Sequence, residues 1–511
     1  MVWEVAKRRG HVGQGPVVSG PWHGLDDLNA VAGWLLWSHR MSSEFGGMTG
    51  RAFAAAARER GVSLSETEVS RAESGEGDIA ITAVTKYEQA LGMPVGTLSA
   101  PLRSAARLAP GAPGAEKLAA LRSVPKSLDV RQEIVNDAYV RWSGGQQLAA
   151  GDWLRLVDAI TFDRQSLLPD ALAGAWIRQL LDEAMRSVNA AYFPRIEALS
   201  TVAEHDRYAA HVLAAAQELT AVPGVSGELE AWSVVGDIRN PEVIDLLVHA
   251  LRSVPDDQLF EYAVALVMPI HRDALSEEQA RVIAAELTRR LSQWSLGSYE
   301  PIASLAAELP CGLGDPILQR IDRIHPMSRL TGPRPDRDVS GEITTYTRAA
   351  LANSWPDHPS GSVLPELLRL ILSSEHFGLR HHAATLIYCS PFAAAICDTA
   401  ADLAMLGNTA PARQLATYLV SRLATRQSAE RLRLLLKQGN RKGLIVSTLS
   451  GMAHAGILTE QDDLKPFIQD KDFRYIGLYT AGITDHPDLY SEIADGDAAA
   501  WWRSKHGGVW V

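Results

Sequence analysis

The chain reads as all-α, in two parts: a short helical head of helix-turn-helix type, then a long array of helical hairpins. Three observations predict this. Ala and Leu dominate, and apolar residues recur at three- and four-residue spacing in segment after segment. Alternating Val/Ile/Thr runs of strand type are scarce. Pro and Gly fall mostly between the helical segments, as in Ala109-Pro110-Gly111-Ala112-Pro113-Gly114. At 511 residues the chain is too long for one compact core, so several domains or an extended array are expected. The boundaries that follow are an arm over 1–30, a head over 31–108, a linker over 109–115 and an array over 116–511.

The arm, Met1 to Asn29, is rich in Gly, Pro and Val and carries Lys7, Arg8, Arg9 and His11. Such a segment either reaches a DNA groove or phosphate backbone, or is a tail with solvated charges. Trp34, Leu35, Leu36 and Trp37 open an aromatic-rich helix that is expected to end near Phe45. Thr49 is placed to cap a helix from Gly50 to Arg60, with Phe53, Ala54 and Ala57 facing inward and Gly61 ending it. Ser65 caps the next helix, through Glu66, Thr67, Glu68, Val69, Ser70 and Arg71, and Ser65 with Glu68 matches a reciprocal capping box. A last helix over Ala83 to Leu91 offers Val84, Tyr87, Ala90 and Leu91 for packing.

The segments VSRAESG and YEQALGMPVGTL, over about 65 residues of the head, resemble the Cro/lambda-repressor-like (XRE) helix-turn-helix family. TGRAFAAAARERG is similar to the lengthened second helix of its actinobacterial branch. The resemblance implies that the helix leading into Ser70-Arg71-Ala72-Glu73-Ser74-Gly75 lies in the major groove of double-stranded DNA. It places Ser65, Thr67, Glu68, Ser70 and Arg71 at or near bases and phosphates, with Thr49 and Arg51 on the DNA backbone. Three features depart from the pattern. Ala72 stands where relatives often carry a larger apolar residue. The span from Gly61 to Val69 is longer than usual. Glu66, Glu68, Glu73 and Glu76 crowd the face meant for DNA, although Glu73 is also suited to bonding across to Arg71 or another helix.

Behind the head, paired helices are separated by turns. Gly236-Asp237-Ile238-Arg239-Asn240-Pro241-Glu242 precedes a helix over Val243 to Leu251, followed by a turn at Pro255 and another helix over Phe260 to Met268. Leu379-Arg380-His381-His382-Ala383-Ala384 follows a helix over Leu364 to Leu372, and Asp470-Lys471-Asp472-Phe473-Arg474 follows one ending near Ile468. These three are similar to HEAT-type repeats, which implies an α-solenoid of some eight or nine hairpins at roughly 40–47 residues each. Irregular loops are expected at Leu330 to Gly341 and at Ser354 to Ser362.

Charge separates the parts. Residues 1–110 carry eleven basic and eleven acidic side chains, so the whole net charge of −11 resides in the remainder. An acidic array is repelled by phosphate, so any DNA contact falls to the head. Three cysteines, Cys311, Cys389 and Cys397, do not make a disulfide framework. With no apolar h-region and no run of about 20 apolar residues, a cytoplasmic chain without membrane contact is expected. His376, His381, His382, Cys389 and Cys397 invite a metal reading. Adjacent histidines diverge by about 100° on a helix, however, and surface His with small core Cys is the expectation. No nucleotide-binding, hydrolase or metalloprotease motif is present, so neither enzymatic chemistry nor a cofactor is expected. Trp501, Trp502 and the following GGVWV are read as capping the last repeat. The expected function is a homodimeric, sequence-specific transcriptional regulator, with a body that dimerises, senses a ligand or recruits a protein partner on its concave face. The alternative is an interaction scaffold in which the helix-turn-helix serves assembly.

Overall fold

The structure is a computed structural model that describes residues 15–18, 20–42, 48–124, 126–163, 168–293, 299–324, 337–352 and 363–510. Lys7, Arg8 and Arg9, the expected loop at 354–362 and most of that at 330–341 lie outside the described residues. Among the described residues there are 27 α-helices, and the extended pairing is one isolated bridge between Ser187 and Val509. No single described helix is long and apolar enough to cross a membrane.

The head holds α1 (Leu28–Met41), α2 (Gly50–Glu59), α3 (Glu66–Glu73) and α4 (Gly77–Leu91), followed by α5 (Ser99–Leu108) and α6 (Ala115–Ala120). A middle array runs through α7 (Leu128–Ser143), α8 (Ala150–Ile160), α9 (Asp170–Ala184), α10 (Tyr192–Ala203), α11 (Ala209–Thr220) and α12 (Glu228–Val235). It continues with α13 (Pro241–Ala250), α14 (Leu259–His271), α15 (Glu277–Gln293), α16 (Glu300–Glu308) and α17 (Asp315–Ile324). A last array holds α18 (Ser340–Ala352), α19 (Val363–Ser373), α20 (Phe377–Tyr388), α21 (Ala393–Leu406) and α22 (Ala410–Leu423). After these come α23 (Ala429–Gln438), α24 (Lys442–His454), α25 (Lys465–Gln469), α26 (Arg474–Ile483) and α27 (Asp497–Lys505).

Local chemistry sets the helix starts in the head. Asp27 accepts from the Ala30 N–H at 3.0 Å, and Thr49 accepts from the Ala52 N–H at 3.2 Å. Ser65 and Glu68 form the reciprocal box, with Glu68 N–H to Ser65 Oγ at 3.1 Å and Ser65 N–H to Glu68 Oε2 at 2.8 Å. Gly92 ends α4 in the left-handed region at φ 68°. Two boundaries differ from the sequence reading: α1 stops at Met41 rather than near Phe45, and α4 begins at Gly77 rather than Ala83. Gly75 and Gly77, both at positive φ, turn the chain tightly enough for α4 to start early.

Within each array a helix stacks on the helix two positions further along. In the middle array α8, α10, α12, α14 and α16 follow one another in one layer; in the last array α20, α22, α24 and α26 do so. Each helix therefore buries one face against its layer and another against its hairpin partner.

Two apolar cores result, and they do not divide the chain at residue 109. One joins α1–α6 to α18–α27, and the other holds α7–α17. The head reaches its distant partners through Trp34 against Phe392 (6.0 Å between rings), His39 Nε2–H to the Cys389 carbonyl at 2.8 Å, and Trp22 N–H to Glu366 Oε2 at 2.9 Å. The 109–115 segment, expected as a linker, is folded onto the head: Leu28 N–H donates to the Pro113 carbonyl at 3.1 Å.

Helix α5 joins the two cores. Leu102, Ala105 and Leu108 belong to the first and Ala100 to the second. Its buried Arg103 lies 3.0 Å from Asp158 and 2.8 Å from Glu197, and Arg107 donates to Glu197 at 2.9 Å. At the far end the chain returns to the middle array. Trp502 Nε1–H donates to Ser226 Oγ at 3.1 Å, and Val188 N–H donates to the Val509 carbonyl at 3.2 Å. The terminal aromatics therefore seal one array against the other.

Candidate nucleic-acid interface and interior cleft

Helix α3 packs on α1, α2 and α4, and its outer side faces solvent. A buried polar clamp holds it there. Glu73 turns inward and takes Arg40 of α1 at 2.5 Å through both of its oxygens, and the Tyr87 hydroxyl of α4 donates to it at 2.8 Å. Burial and then the Glu73 charge hold the Tyr87 phenol well above its ordinary value. Ala72 is part of the same fit. A Cβ at Gly33 of α1 would lie 2.6 Å from the Gly75 nitrogen and 2.8 Å from the Ala72 carbonyl, so α1 and α3 meet at backbone distance. The small residue at 72 thus goes with close helix approach.

The residues expected at DNA divide into two groups. Thr49, Ser65 and Glu68 are engaged in starting α2 and α3, and Glu68 also receives Lys86 Nζ at 3.2 Å. Hydrogen bonds from Ser65 and Lys86 hold the Glu68 carboxyl below its ordinary value. Arg51 and Arg58 of α2 and Thr67, Ser70 and Arg71 of α3 are exposed. Arg71 is already paired: Nε–H and Nη2–H donate to Glu76 at 2.8 and 2.7 Å, in the open, with both side chains about half exposed. From Gly50 to Leu91 there are five basic and seven acidic residues, two of the acids, Glu73 and Glu88, being buried. The outer face therefore offers two arginines without a carboxylate partner among the described residues, Arg51 and Arg58, and a third held by Glu76.

The second feature lies inside the body. The layer formed by α10, α12 and α14 faces the layer of α20, α22, α24 and α26 across a cleft of about 800 Å³. A narrower extension of about 140 Å³ runs from it toward α5. Phe193 against Tyr388 (5.6 Å) and Tyr388 Oη–H to Asn189 at 2.7 Å tie its walls together. Glu230 of α12, Arg422 of α22 and His381 of α20 line both compartments.

His381 and His382 lie at this cleft and its extension, which corrects their expected place on the outer surface. Ala383 and Ala384 of α20 are buried, and Ala384 shares the cleft wall with His381. His382 Nδ1–H donates to the Gly378 carbonyl at 2.8 Å and Ser104 Oγ lies 3.1 Å from its Nε2. His376 goes elsewhere, 2.9 Å from Glu308, which also takes His271 at 2.9 Å. Cys397 is buried, its thiol pushed up to about 12 by burial, and among the described residues no three of the five come together as a metal-holding group. Sequence reasoning missed the cleft altogether. Its signals were faint: Glu228 and Glu230 two apart in an apolar helix, and Arg422 alone beside Leu419, Val420 and Leu423. Comparison with family models, with curated proteins and with solved structures finds no match to the chain.

Proposed function

We propose that the chain is a DNA-binding transcriptional regulator, in which α2 and α3 form a helix-turn-helix reader and the two stacked arrays form a solenoid-like sensing body. The observation that carries this reading is α3 itself. It is a capped helix clamped from behind by Arg40, Glu73 and Tyr87, with Thr67, Ser70 and Arg71 exposed on it and Arg51 and Arg58 exposed on α2. A rigid helix with short polar and guanidinium groups on its free side suits a major groove. A homodimer on a two-fold operator sets two such helices about 34–36 Å apart.

Arg71 binds DNA only by leaving Glu76. The competition gives the test, made on the full-length chain because α5 is buried in the body. In operator selection followed by a salt series, Arg71→Ala weakens specific binding by roughly tenfold or more, and Glu76→Gln tightens it severalfold by releasing the guanidinium. Absence of salt-dependent DNA binding by the full chain sinks the proposal. The acidic excess over residues 50–91 favours the second reading, an interaction scaffold, and that result would support it.

A further inference from the structure

The cleft between the arrays combines two chemistries, carboxylates on the wall of α12 and α14 and aromatic rings on both walls. Five rings line it, Tyr192, Phe193, Tyr388, Tyr475 and Tyr479, and three carboxylates stand among them, Glu228, Glu230 and Glu261. Among the described residues Arg422 is the one guanidinium or ammonium in its wall, and it lies against Tyr418, 5.5 Å from that ring. The Glu230 carboxylate makes no salt bridge among the described residues, although α22 carries Arg422 near enough to be felt. Neither ring nitrogen of His381 nor the Tyr192 hydroxyl has a hydrogen-bond partner among the described residues, and both side chains line the cleft. Tyr475 is 71% exposed, its ring bare to this space.

We propose that the cleft is a binding site for an organic cation with an aromatic body, its charge held at Glu230 beside Glu228 and Glu261 and its rings against Tyr475 and Phe193. Carboxylates behind aromatic faces attract such a cation twice, through the charge and through the ring quadrupoles, and most strongly where water is thinned. His381 and Tyr192 supply hydrogen bonds for polar groups on the ligand body. At about 800 Å³ the space accepts a drug-sized molecule. Anions are disfavoured, since three carboxylates face one arginine.

The groups around Glu230 set a pH signature. Burial raises its carboxyl to about 7; Arg422 opposes this and Glu261 adds to it. Burial first, and then the Arg422 charge, lower His381 and His454, the latter to about 4, so neither adds positive charge near neutrality. The phenols of Tyr192 and Tyr479 are raised by burial and then by Glu230, and stay neutral. A bound cation favours ionised Glu230, so affinity rises with pH through about 7.

This deepens the sensing role proposed for the body and rests on it only for the relay to α3. The test contains no DNA, so site and reader fail separately. The probes are rhodamine 6G, an aromatic monocation, and fluorescein, an anion on the same ring frame, followed by fluorescence anisotropy with the full-length chain at about pH 8. Rhodamine 6G binds in the micromolar range, and fluorescein roughly tenfold more weakly or not at all. Glu230→Gln, nearly isosteric, weakens the cation by roughly tenfold and abolishes its pH dependence between about pH 6 and 8; Tyr475→Ala, at an exposed ring, weakens it severalfold. Failure of rhodamine 6G to bind, equal binding of fluorescein, or unchanged binding in both folded variants overturns the proposal.

Discussion

Glu73 stands in a run of exposed polar residues, yet its carboxylate is buried between Arg40 and Tyr87. Removing it strands a buried guanidinium on α1, the costly way to break such a pair. Glu73→Ala is therefore expected to lose about 3–5 kcal/mol of stability in urea unfolding. Glu73→Gln, which keeps the hydrogen-bonding shape, loses less. Glu76, three residues on, is exposed and paired to Arg71, and its substitution is expected to leave stability nearly unchanged. One helix thus carries a carboxylate that holds the fold and lies beside another that pairs in the open. Sequence spacing cannot separate them, because which side of a helix is covered depends on partners such as α1.

Another residue-scale contact depends on pH. Hydrogen bonding to Glu308 raises His376 above 6.5; burial alone would push Glu308 up, but the bonds from His271 and His376 outweigh it and leave it at about 2. The His376 contribution is complete below about 6.5 and fades as pH rises through its higher folded value. The Glu308 contribution is complete above about 4.5 and fades only as pH falls toward 2. The tie between α16 and the start of α20 is thus firmest at about pH 4.5–6.5. The Tm difference between wild type and His376→Gln is expected to be largest there and to shrink as pH rises through the raised folded value of His376.

At the scale of elements, α5 is the decisive helix. Nine of its ten residues are buried, and it carries two arginines into a space shared by both cores. Asp158 and Glu197 of the middle array neutralise them, and the Glu197 charge holds Arg107 above its ordinary value against the cost of burial. Arg107→Ala leaves Glu197 with Arg103 as its buried partner but strips the bonds to its second oxygen, and is expected to cost about 2–3 kcal/mol, read as a lower Tm by calorimetry. Helices whose starts are made by neighbours were legible from sequence: Thr49 and the Ser65–Glu68 box each act within three residues. The burial of α5 was not legible. PLRSAARL looks like an amphipathic surface helix, and only Asp158 and Glu197, far along the chain, make its arginines interior groups.

For the whole molecule, the all-α class followed from composition and period, which register the same physics the helices obey. The division into head, linker and array was read from a Pro/Gly run that the structure folds onto α1. Such a run marks where helices stop, and it is silent on whether the segments beside it share a core. The cleft was hidden for a related reason: Glu230 and Arg422 belong to different arrays and meet only when α12 and α22 face each other. The candidate DNA face was legible because its residues are consecutive, down to Arg71, but the pairing of Arg71 with Glu76 needed coordinates.

The joining of α1–α6 with α18–α27 also has a bearing on synthesis. Trp22 and its partner Glu366 are 344 residues apart, so on the order of 20–70 s of translation separate them. Until then the face of Trp34 that meets Phe392 has nothing to close on, whereas α5 already has Asp158 and Glu197 of the middle array. A nascent chain that has not reached Phe392 presents α1, against which α3 packs, without the partners that Glu366 and Phe392 supply. Chains that stop short of these partners would leave that part of the core open to proteolysis.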